Sequence, residues 1–406
     1  MAKISRRNFL LISSLNSAFL FSKFRFRKKA SSNLPQKSSP PSSNDPWIEL
    51  NLENMAWNLN QIRKLVKVPV MAVIKANAYG HGLVEVGQSL EKMKIDYLMV
   101  GKLQEALLLR RAGVTSPLLN FGSFCPEEEE EIIQNNISQS AFTEAVLSLN
   151  QTSLRLGKKA KIHIHLDTGM GRMGLPFDQA LPFIERVSSM KGLSIEGIST
   201  TLTEDDDFDR EQLSRFLRIC QEAESKGISL GLKHAASSDG ILDLPASRLD
   251  MVRPGITLYG YYPSERTQKE DRLGLKPVLQ LKSRVVAIKT LRPGDTLSYH
   301  RKYKAQKSEK IALIPVGYSD GYPSHAVNKA SVLIKGKRFP LIAAITANHC
   351  LALLKKNSQV LPGDEVILLG FQEKEKITAD EVSVWAESSA YKVLIGLNPL
   401  LPRIIV

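Results

Sequence analysis

The sequence predicts an α/β protein: a (β/α)8 barrel followed by a smaller, mostly antiparallel β domain. Between residues 47 and 275, eight short apolar runs alternate with segments of helical periodicity. From residue 276 to 406, strand-like runs are instead separated by turn signals such as RPGD and LPGD. A doubly wound open sheet is the alternative for the first part, but the Gly-rich dinucleotide fingerprint does not follow the first strand.

The elements of the predicted barrel follow one another at regular intervals. An amphipathic helix, NLENMAWNLNQIRKLV, comes first. The eight predicted strands span 68–75, 96–101, 117–122, 137–142, 161–169, 195–202, 230–238 and 251–260. Helical segments fill the gaps, and the last gap has room only for a short helix. In the second domain, strands are predicted in LKSRVVAIKTL, KIALIPVGYS, ASVLIKGKRF, PLIAAITA and EVILLG.

The N-terminal segment, residues 1–29, resembles a twin-arginine export signal or a basic membrane anchor. Arg6 and Arg7 precede the weakly apolar stretch LISSLNSAFLF, which is short for a membrane span. No convincing small-residue cleavage site follows, so a disordered basic tail is the alternative. Residues 30–46 are rich in Ser and Pro and are predicted to be a linker. A periplasmic or membrane-tethered protein is expected, and a cytoplasmic one otherwise.

Charge and cysteine content exclude two classes of protein. The net charge is +14, but the first 30 residues carry eight lysines and arginines and no acid. The body of the chain is therefore only mildly basic, and nucleic-acid binding is not expected. Cys125, Cys220 and Cys350 show no metal-ligand or disulfide spacing, and we expect three buried free thiols and no metal site.

A lysine ends the first predicted barrel strand. Lys75 closes the run VPVMAVIK and is followed by the tight ANAYGHG turn. In a barrel, strand ends form the C-terminal face, where catalysis takes place. A lysine there is commonly a surface residue. In a partly apolar site its pKa falls, and its amine can form a Schiff base with an aldehyde cofactor.

Other strand ends carry residues suited to an anionic cofactor. Arg172 follows the fifth strand and Ser238 the seventh, while Arg253, Gly255 and Ile256 lie in the eighth. Barrels often hold a phosphate near strands seven and eight through backbone N–H groups and hydroxyls. A lysine, a phosphate site and two arginines in one barrel mouth indicate pyridoxal 5′-phosphate.

Six motifs, taken in order, identify the chain by resemblance. AVIKANAYGHG, EALLLRRAGV, DTGMGRMG, DMVRPGITLYG, LSYHRKYKA and VGYSDGYP together resemble the alanine racemase family, from about residue 47 to Arg403. The resemblance implies a barrel with a C-terminal β domain and a homodimer with active sites shared between chains. It implies a pyridoxal phosphate enzyme that interconverts L- and D-alanine, a peptidoglycan precursor. A substrate range broader than alanine stays open.

The resemblance also assigns roles to individual residues. Lys75 matches the lysine that holds the cofactor and is the base on one face of the substrate. Tyr299 matches the second base, supplied by the partner's β domain. Arg253 matches the arginine facing the pyridine nitrogen, and Arg172 the arginine near the phenolic oxygen and the substrate. The phosphate site corresponds to Tyr79, Ser238, Gly255, Ile256 and Tyr391, and the substrate site to Arg172, Tyr318 and Ala347.

Four positions depart from the family pattern. His165 replaces a carbamylated lysine that braces the equivalent of Arg172, and Thr201 replaces a histidine. Ala347 and Asn348 replace a Met-Asp pair beside the substrate carboxylate. One interpretation is a pocket widened for larger side chains; the other is a cofactor-binding protein with weak or no turnover. An active racemase is favoured because the acids and bases persist. A decarboxylase or lyase ranks last, since the decarboxylase branch lacks the Tyr299 arrangement.

Overall fold

A computed structural model describes residues 44–406 of the chain. The predicted export signal and almost all of the predicted linker lie outside the described residues. Within residues 44–406, no helix is both long enough and apolar enough to cross a membrane.

The described chain contains twenty strands and twelve helices besides short 3₁₀ turns. The strands are β1 (Trp47–Leu50), β2 (Met71–Val73), β3 (Tyr97–Val100), β4 (Leu118–Asn120), β5 (Ser138–Ala141), β6 (Ala160–Asp167), β7 (Leu175–Pro176), β8 (Leu193–Thr200), β9 (Leu232–His234), β10 (Leu279–Arg284), β11 (Ala287–Leu291), β12 (Thr296–Leu297), β13 (Tyr303–Lys304), β14 (Glu309–Ile314), β15 (Ser331–Ile334), β16 (Lys337–Ile342), β17 (Cys350–Leu354), β18 (Glu365–Gln372), β19 (Glu375–Ile377) and β20 (Arg403–Ile405). The helices are α1 (Leu52–Val66), α2 (Lys75–Tyr79), α3 (Leu83–Lys92), α4 (Leu103–Arg111), α5 (Glu129–Gln134), α6 (Ala145–Leu156), α7 (Ala180–Ser188), α8 (Asp206–Ser225), α9 (Ser238–Asp243), α10 (Glu265–Glu270), α11 (Ala379–Trp385) and α12 (Ala390–Ile395).

The first sheet is the barrel. Its parallel strands run in the order β2, β3, β4, β5, β6, β8 and β9. Residues 250–254 close the ring: Met71 N donates to Val252 O at 2.8 Å, and Arg253 N donates to Ala236 O at 2.9 Å. The predicted fold class is confirmed. The predicted strand 251–260 is too long, because the chain turns after Pro254 into a 3₁₀ segment, Ile256–Tyr259.

The second sheet contains a strand from the start of the chain. Its order is β11, β14, β17, β16, β15, β18, β10, β1 and β20. The sequence places residue 47 at the start of the barrel, but β1 pairs with β10 and β20 of the second sheet. Four residues are too few to show a periodicity, and they were not predicted as a strand. The barrel's own elements therefore begin with α1.

Two of the three cysteines lie where they were predicted to lie. Cys220 and Cys350 are buried, whereas Cys125 is exposed, so the prediction for Cys125 is wrong. It immediately precedes the acidic turn PEEE, which places it on the surface.

The segment after Lys75 is wound left-handed. Ala76, Asn77, Ala78 and Tyr79 of α2 all have φ between 52° and 55°. For L-residues this conformation costs about 1–2 kcal/mol each. Neighbouring groups hold it: Asn77 N donates to Glu105 Oε1 at 3.1 Å, and Leu83 N donates to Asn77 Oδ1 at 2.8 Å. This turn is the reason that Lys75 and Tyr79 face the same cavity.

We expect opposite effects from two substitutions in this turn. Ala76→Gly should raise the free energy of unfolding by about 0.5–1 kcal/mol, because glycine tolerates positive φ. Gly80→Ala should lower it by about 3 kcal/mol or more, since an added Cβ would fall on the Leu394 carbonyl oxygen. Urea unfolding of both variants measures these changes. A destabilised Ala76→Gly protein would show that the turn is not strained.

Candidate active site

A cavity of about 360 Å³ opens at the carboxyl ends of the barrel strands. Eight residues predicted for the cofactor site line it: Lys75, Tyr79, Arg172, Ser238, Arg253, Gly255, Ile256 and Tyr391. Tyr391 comes from α12 of the second domain. The sequence did not single out Phe121, Met170, Thr203, Glu204 or Ser237, which line the same cavity. Their positions just after the barrel strands, or one residue before Ser238, are the signal that could have found them.

The environment of Lys75 favours its neutral amine. Burial lowers the pKa of Lys75, and the cations Arg172 and Arg253 lower it further, against a smaller opposing effect of Glu105. Burial and like charges both disfavour the ammonium form. An amine that loses its proton easily is a nucleophile and a base. The site can therefore perform Schiff-base and proton-transfer chemistry at this position.

Hydroxyls and backbone N–H groups form an anion cradle at one end of the cavity. Ser238 Oγ accepts from Gly255 N at 3.0 Å and lies 3.0 Å from Thr257 Oγ1. Tyr79 and Tyr391 complete the cradle, with ring centroids 6.0 Å apart. A Cβ at Gly255 would lie 2.6 Å from the Tyr79 hydroxyl, so only glycine leaves this space open. The hydroxyls of these residues can donate hydrogen bonds to a phosphate group.

In Gly255→Ala, the added methyl group should fill the anion cradle and leave the rest of the cavity unchanged. If the cradle holds the phosphate of the pyridoxal phosphate that the family resemblance implies, the Kd for this cofactor should rise about 10-fold or more. The new methyl would displace the Tyr79 hydroxyl, and a good hydrogen bond to a charged group is worth about 1.5–3 kcal/mol. Equilibrium dialysis gives the constant. Thr257→Ser keeps the hydroxyl and serves as the control. Unchanged affinity in Gly255→Ala would place the phosphate elsewhere.

Arg253 is the best-anchored charge in the site. It is only 5% exposed, and burial lowers its pKa to about 10. Its guanidinium donates to Thr200 O at 2.6 Å, Ala235 O at 3.0 Å, His234 O at 2.6 Å and His234 Nδ1 at 2.7 Å. Each contact is a strong, fixed hydrogen bond, so the arginine cannot swing out of the cavity.

The protonation of two buried histidines follows from Arg253. Arginine has no acceptor, so His234 Nδ1 must accept its hydrogen bond and the proton lies on Nε2. That nitrogen donates to His163 Nδ1 at 2.9 Å. The His163 proton is thus on Nε2, which has no hydrogen-bond partner among residues 44–406. Both imidazoles are neutral, and sequence patterns did not reveal either of them.

Buried neutral histidines make stability depend on pH. Burial lowers the pKa of His81 and His165 to about 3 and that of His163 to about 4. The unfolded chain binds protons below pH 6.5 and the folded chain does not, so stability falls as pH drops. From pH 7 to pH 5 each such histidine should cost about 2 kcal/mol of unfolding free energy.

Urea unfolding at the two pH values measures the loss. Replacing the buried His81 by Phe should reduce this loss by about 2 kcal/mol, the share of one histidine. Equal stability at pH 7 and pH 5 would contradict the assignment of neutral, buried imidazoles.

Unlike Tyr391, the other predicted residues of the second domain lie apart from this cavity. Tyr299 is 78% exposed and Tyr318 is 57% exposed, and neither belongs to the described residues that line the cavity. Ala347 and Asn348 form a turn beside Tyr318: Ala347 O accepts from Ser319 N at 2.9 Å, and Asn348 Nδ2 donates to Ser319 Oγ at 2.9 Å. Within one chain the structure does not bring these residues to Lys75.

Two departures from the family pattern lie next to the cavity. Thr201, which replaces the histidine of the family, lines the cavity. Arg253 donates to the backbone carbonyl of the preceding residue, Thr200, and not to the Thr201 side chain. His165 is buried beneath the cavity, with Nδ1 3.0 Å from Ser199 Oγ.

The fold and the cavity together define a barrel enzyme with a nucleophilic lysine above an anion cradle. The family model for the N-terminal domain of alanine racemase matches residues 50–263, and that for the C-terminal domain matches residues 278–405. Alanine racemase 2 of Caldanaerobacter subterraneus subsp. tengcongensis is 38% identical over 365 residues, 88% of this chain and 94% of that protein. Alanine racemase of Clostridium perfringens is 39% identical over the same coverage.

Solved structures give the same result. The structure of alanine racemase from Clostridium difficile 630 matches with a TM-score of 0.85 and 34% identity, covering 90% of this chain and 97% of that one. The chain belongs to the alanine racemase family and, like its relatives, is an isomerase.

Proposed function

We propose that this protein interconverts L- and D-alanine with pyridoxal 5′-phosphate as its cofactor. The observation that carries the proposal is one cavity that combines an amine of lowered pKa, an anion cradle and a buried arginine. Two relatives at 38–39% identity are alanine racemases, which supports alanine as the substrate.

The residues present fit the cofactor. The cradle around Ser238 and Gly255 would hold its phosphate, Lys75 its aldehyde carbon, and Arg253 would face its pyridine nitrogen. When bound, the cofactor delocalises the electron pair left when the α-proton is removed. Arg253 can only donate hydrogen bonds, so beside that nitrogen it would disfavour a proton there and would discourage transamination.

Inversion needs a base on each face of the α-carbon. Lys75 would move the proton on one face, and Tyr299 of a second copy would move it on the other. The 78% exposure of Tyr299 and its absence from the described lining of its own cavity support a phenol supplied in trans. The enzyme would therefore act as a homodimer with two shared active sites.

Incubation with L-alanine in D₂O tests the reaction. We expect deuterium at the α-carbon and D-alanine to appear together. Deuterium without D-alanine would mean that only one of the two bases works, and no deuterium at all would refute the proposal. Parallel assays with L-serine, L-lysine and L-arginine test whether the small Ala347 admits larger side chains.

A non-catalytic cofactor-binding protein is the second candidate. The substitutions at His165, Thr201, Ala347 and Asn348 favour it, because they remove groups that position the catalytic residues in the family. It predicts cofactor absorbance in the purified protein and no exchange with any amino acid.

We also propose that residues 1–29 direct the enzyme out of the cytoplasm. Arg6 and Arg7 followed by a short apolar stretch support the twin-arginine route, which exports folded proteins with their cofactor loaded. Replacing both arginines with lysine should retain the enzyme in the cytoplasmic fraction of cells. An unchanged location would show that the segment is not such a signal.

A further inference from the structure

Arg172 reaches the cavity without any side-chain support of its own. It is exposed, and among residues 44–406 its guanidinium makes no hydrogen bond or ion pair. Its position therefore depends on the backbone of the loop 167–174. At the start of this loop, Asp167 Oδ1 accepts from Gly169 N at 2.9 Å and from Gly171 N at 3.1 Å.

The other end of the loop rests on His165. A Cβ at Gly174 would lie 3.1 Å from His165 Cδ2 and 2.7 Å from Asp167 N, so the loop returns tightly onto β6 at that point. The backbone of Met173 hydrogen bonds to the imidazole of His165. The ring also packs edge-on against Phe121, with centroids 4.6 Å apart, and Phe121 lines the cavity.

The tautomer of His165 can be assigned. Burial lowers the pKa of His165 to about 3, so the imidazole is neutral and carries one proton. The hydrogen bond to the Met173 backbone favours the protonated ring, so the backbone group is a carbonyl that accepts. Because Nδ1 faces Ser199, the nitrogen that donates to Met173 and carries the proton is Nε2. Nδ1 must then accept from the Ser199 hydroxyl, 3.0 Å away on β8.

We propose that His165 is a positioning residue for Arg172: it links Met173 of the loop to Ser199 of the barrel and so holds the arginine over the cavity. The inference rests on the proposed function for what Arg172 does there. It requires no negative charge beneath the arginine, because the connection runs through the loop backbone.

The test compares variants of His165 that keep different hydrogen bonds. His165→Phe loses both bonds, His165→Gln keeps a donor for Met173, and Ser199→Ala removes only the anchor on β8. Ser89→Ala is the matched control, because Ser89 is a buried serine bonded to Glu85 O on α3. Arg172→Ala shows how large each effect is when the arginine itself is absent.

The first readout is the pH titration of the bound cofactor's visible absorbance. A cation near the phenolic oxygen lowers the cofactor's apparent pKa, so misplacing Arg172 should raise it. We expect the cofactor's apparent pKa to rise by about one unit in Arg172→Ala. The rise should be nearly as large in His165→Phe, smaller in His165→Gln and absent in Ser89→Ala. The kcat/KM for alanine should fall about 10- to 100-fold in His165→Phe, as for other supporting residues.

The second readout does not need the cofactor. Amide hydrogen exchange in residues 169–174 of the full-length protein should speed up in His165→Phe and Ser199→Ala and stay unchanged in Ser89→Ala. Unaltered exchange and titration in a folded His165→Phe protein would overturn the inference. A wild-type protein without cofactor absorbance would refute the proposed function alone, and the exchange data would still decide the role of His165.

Discussion

Replacing Lys75 by alanine is expected to abolish racemisation, with kcat reduced about 10⁴-fold or more. The variant loses both the amine that would join the cofactor and the base on one face of the substrate. Lys75→Arg keeps the cation but has no amine that deprotonates at neutral pH, so it should be equally inactive. Chiral chromatography of the alanine product measures the rate.

A second lysine in the barrel provides the control. Lys102 also follows a barrel strand, β3, but it is exposed and does not belong to the described lining of the cavity. Lys102→Ala should therefore retain activity. Borohydride reduction followed by peptide mapping should label the peptide of Lys75 and not that of Lys102. Cofactor attached to Lys102, or an active Lys75→Ala enzyme, would contradict the assignment.

Mixing two inactive chains is expected to restore activity. Lys75→Ala and Tyr299→Phe should each be inactive as homodimers. If Tyr299 acts in trans, a mixed dimer has one site with both defects and one intact site. Random pairing of equal amounts then gives roughly one quarter of the wild-type sites. Co-expression with two different affinity tags and an alanine assay measure the recovery.

The same two substitutions in one chain supply the control. Co-expressed with wild-type chains, the double variant leaves roughly one quarter of the sites intact if active sites are shared. If each chain holds its own complete site, that figure is roughly one half, while the mixture of single variants stays inactive. The pair of measurements therefore distinguishes shared from separate sites without a structure of the dimer.

Local pattern was enough to locate much of the cavity. The carboxyl ends of parallel strands meet at one face of a barrel, so Lys75, Ser238 and Arg253 could be placed together once the strand periodicity was recognised. Resemblance to a known family added Tyr79 and Tyr391, which no periodicity identifies. The structure brings all five to one cavity.

The barrel, the second β domain and the residues at the strand ends could be predicted from the sequence without the structure. Only the folded structure shows that β1 joins the second sheet and that α2 is wound left-handed. The buried pair His163 and His234 also escaped prediction, since its tautomers follow from one contact with Arg253. The physical reason is common to these cases. Periodicity reports which face of an element is apolar, whereas strand partners, positive φ values and buried hydrogen bonds depend on segments far apart in the chain.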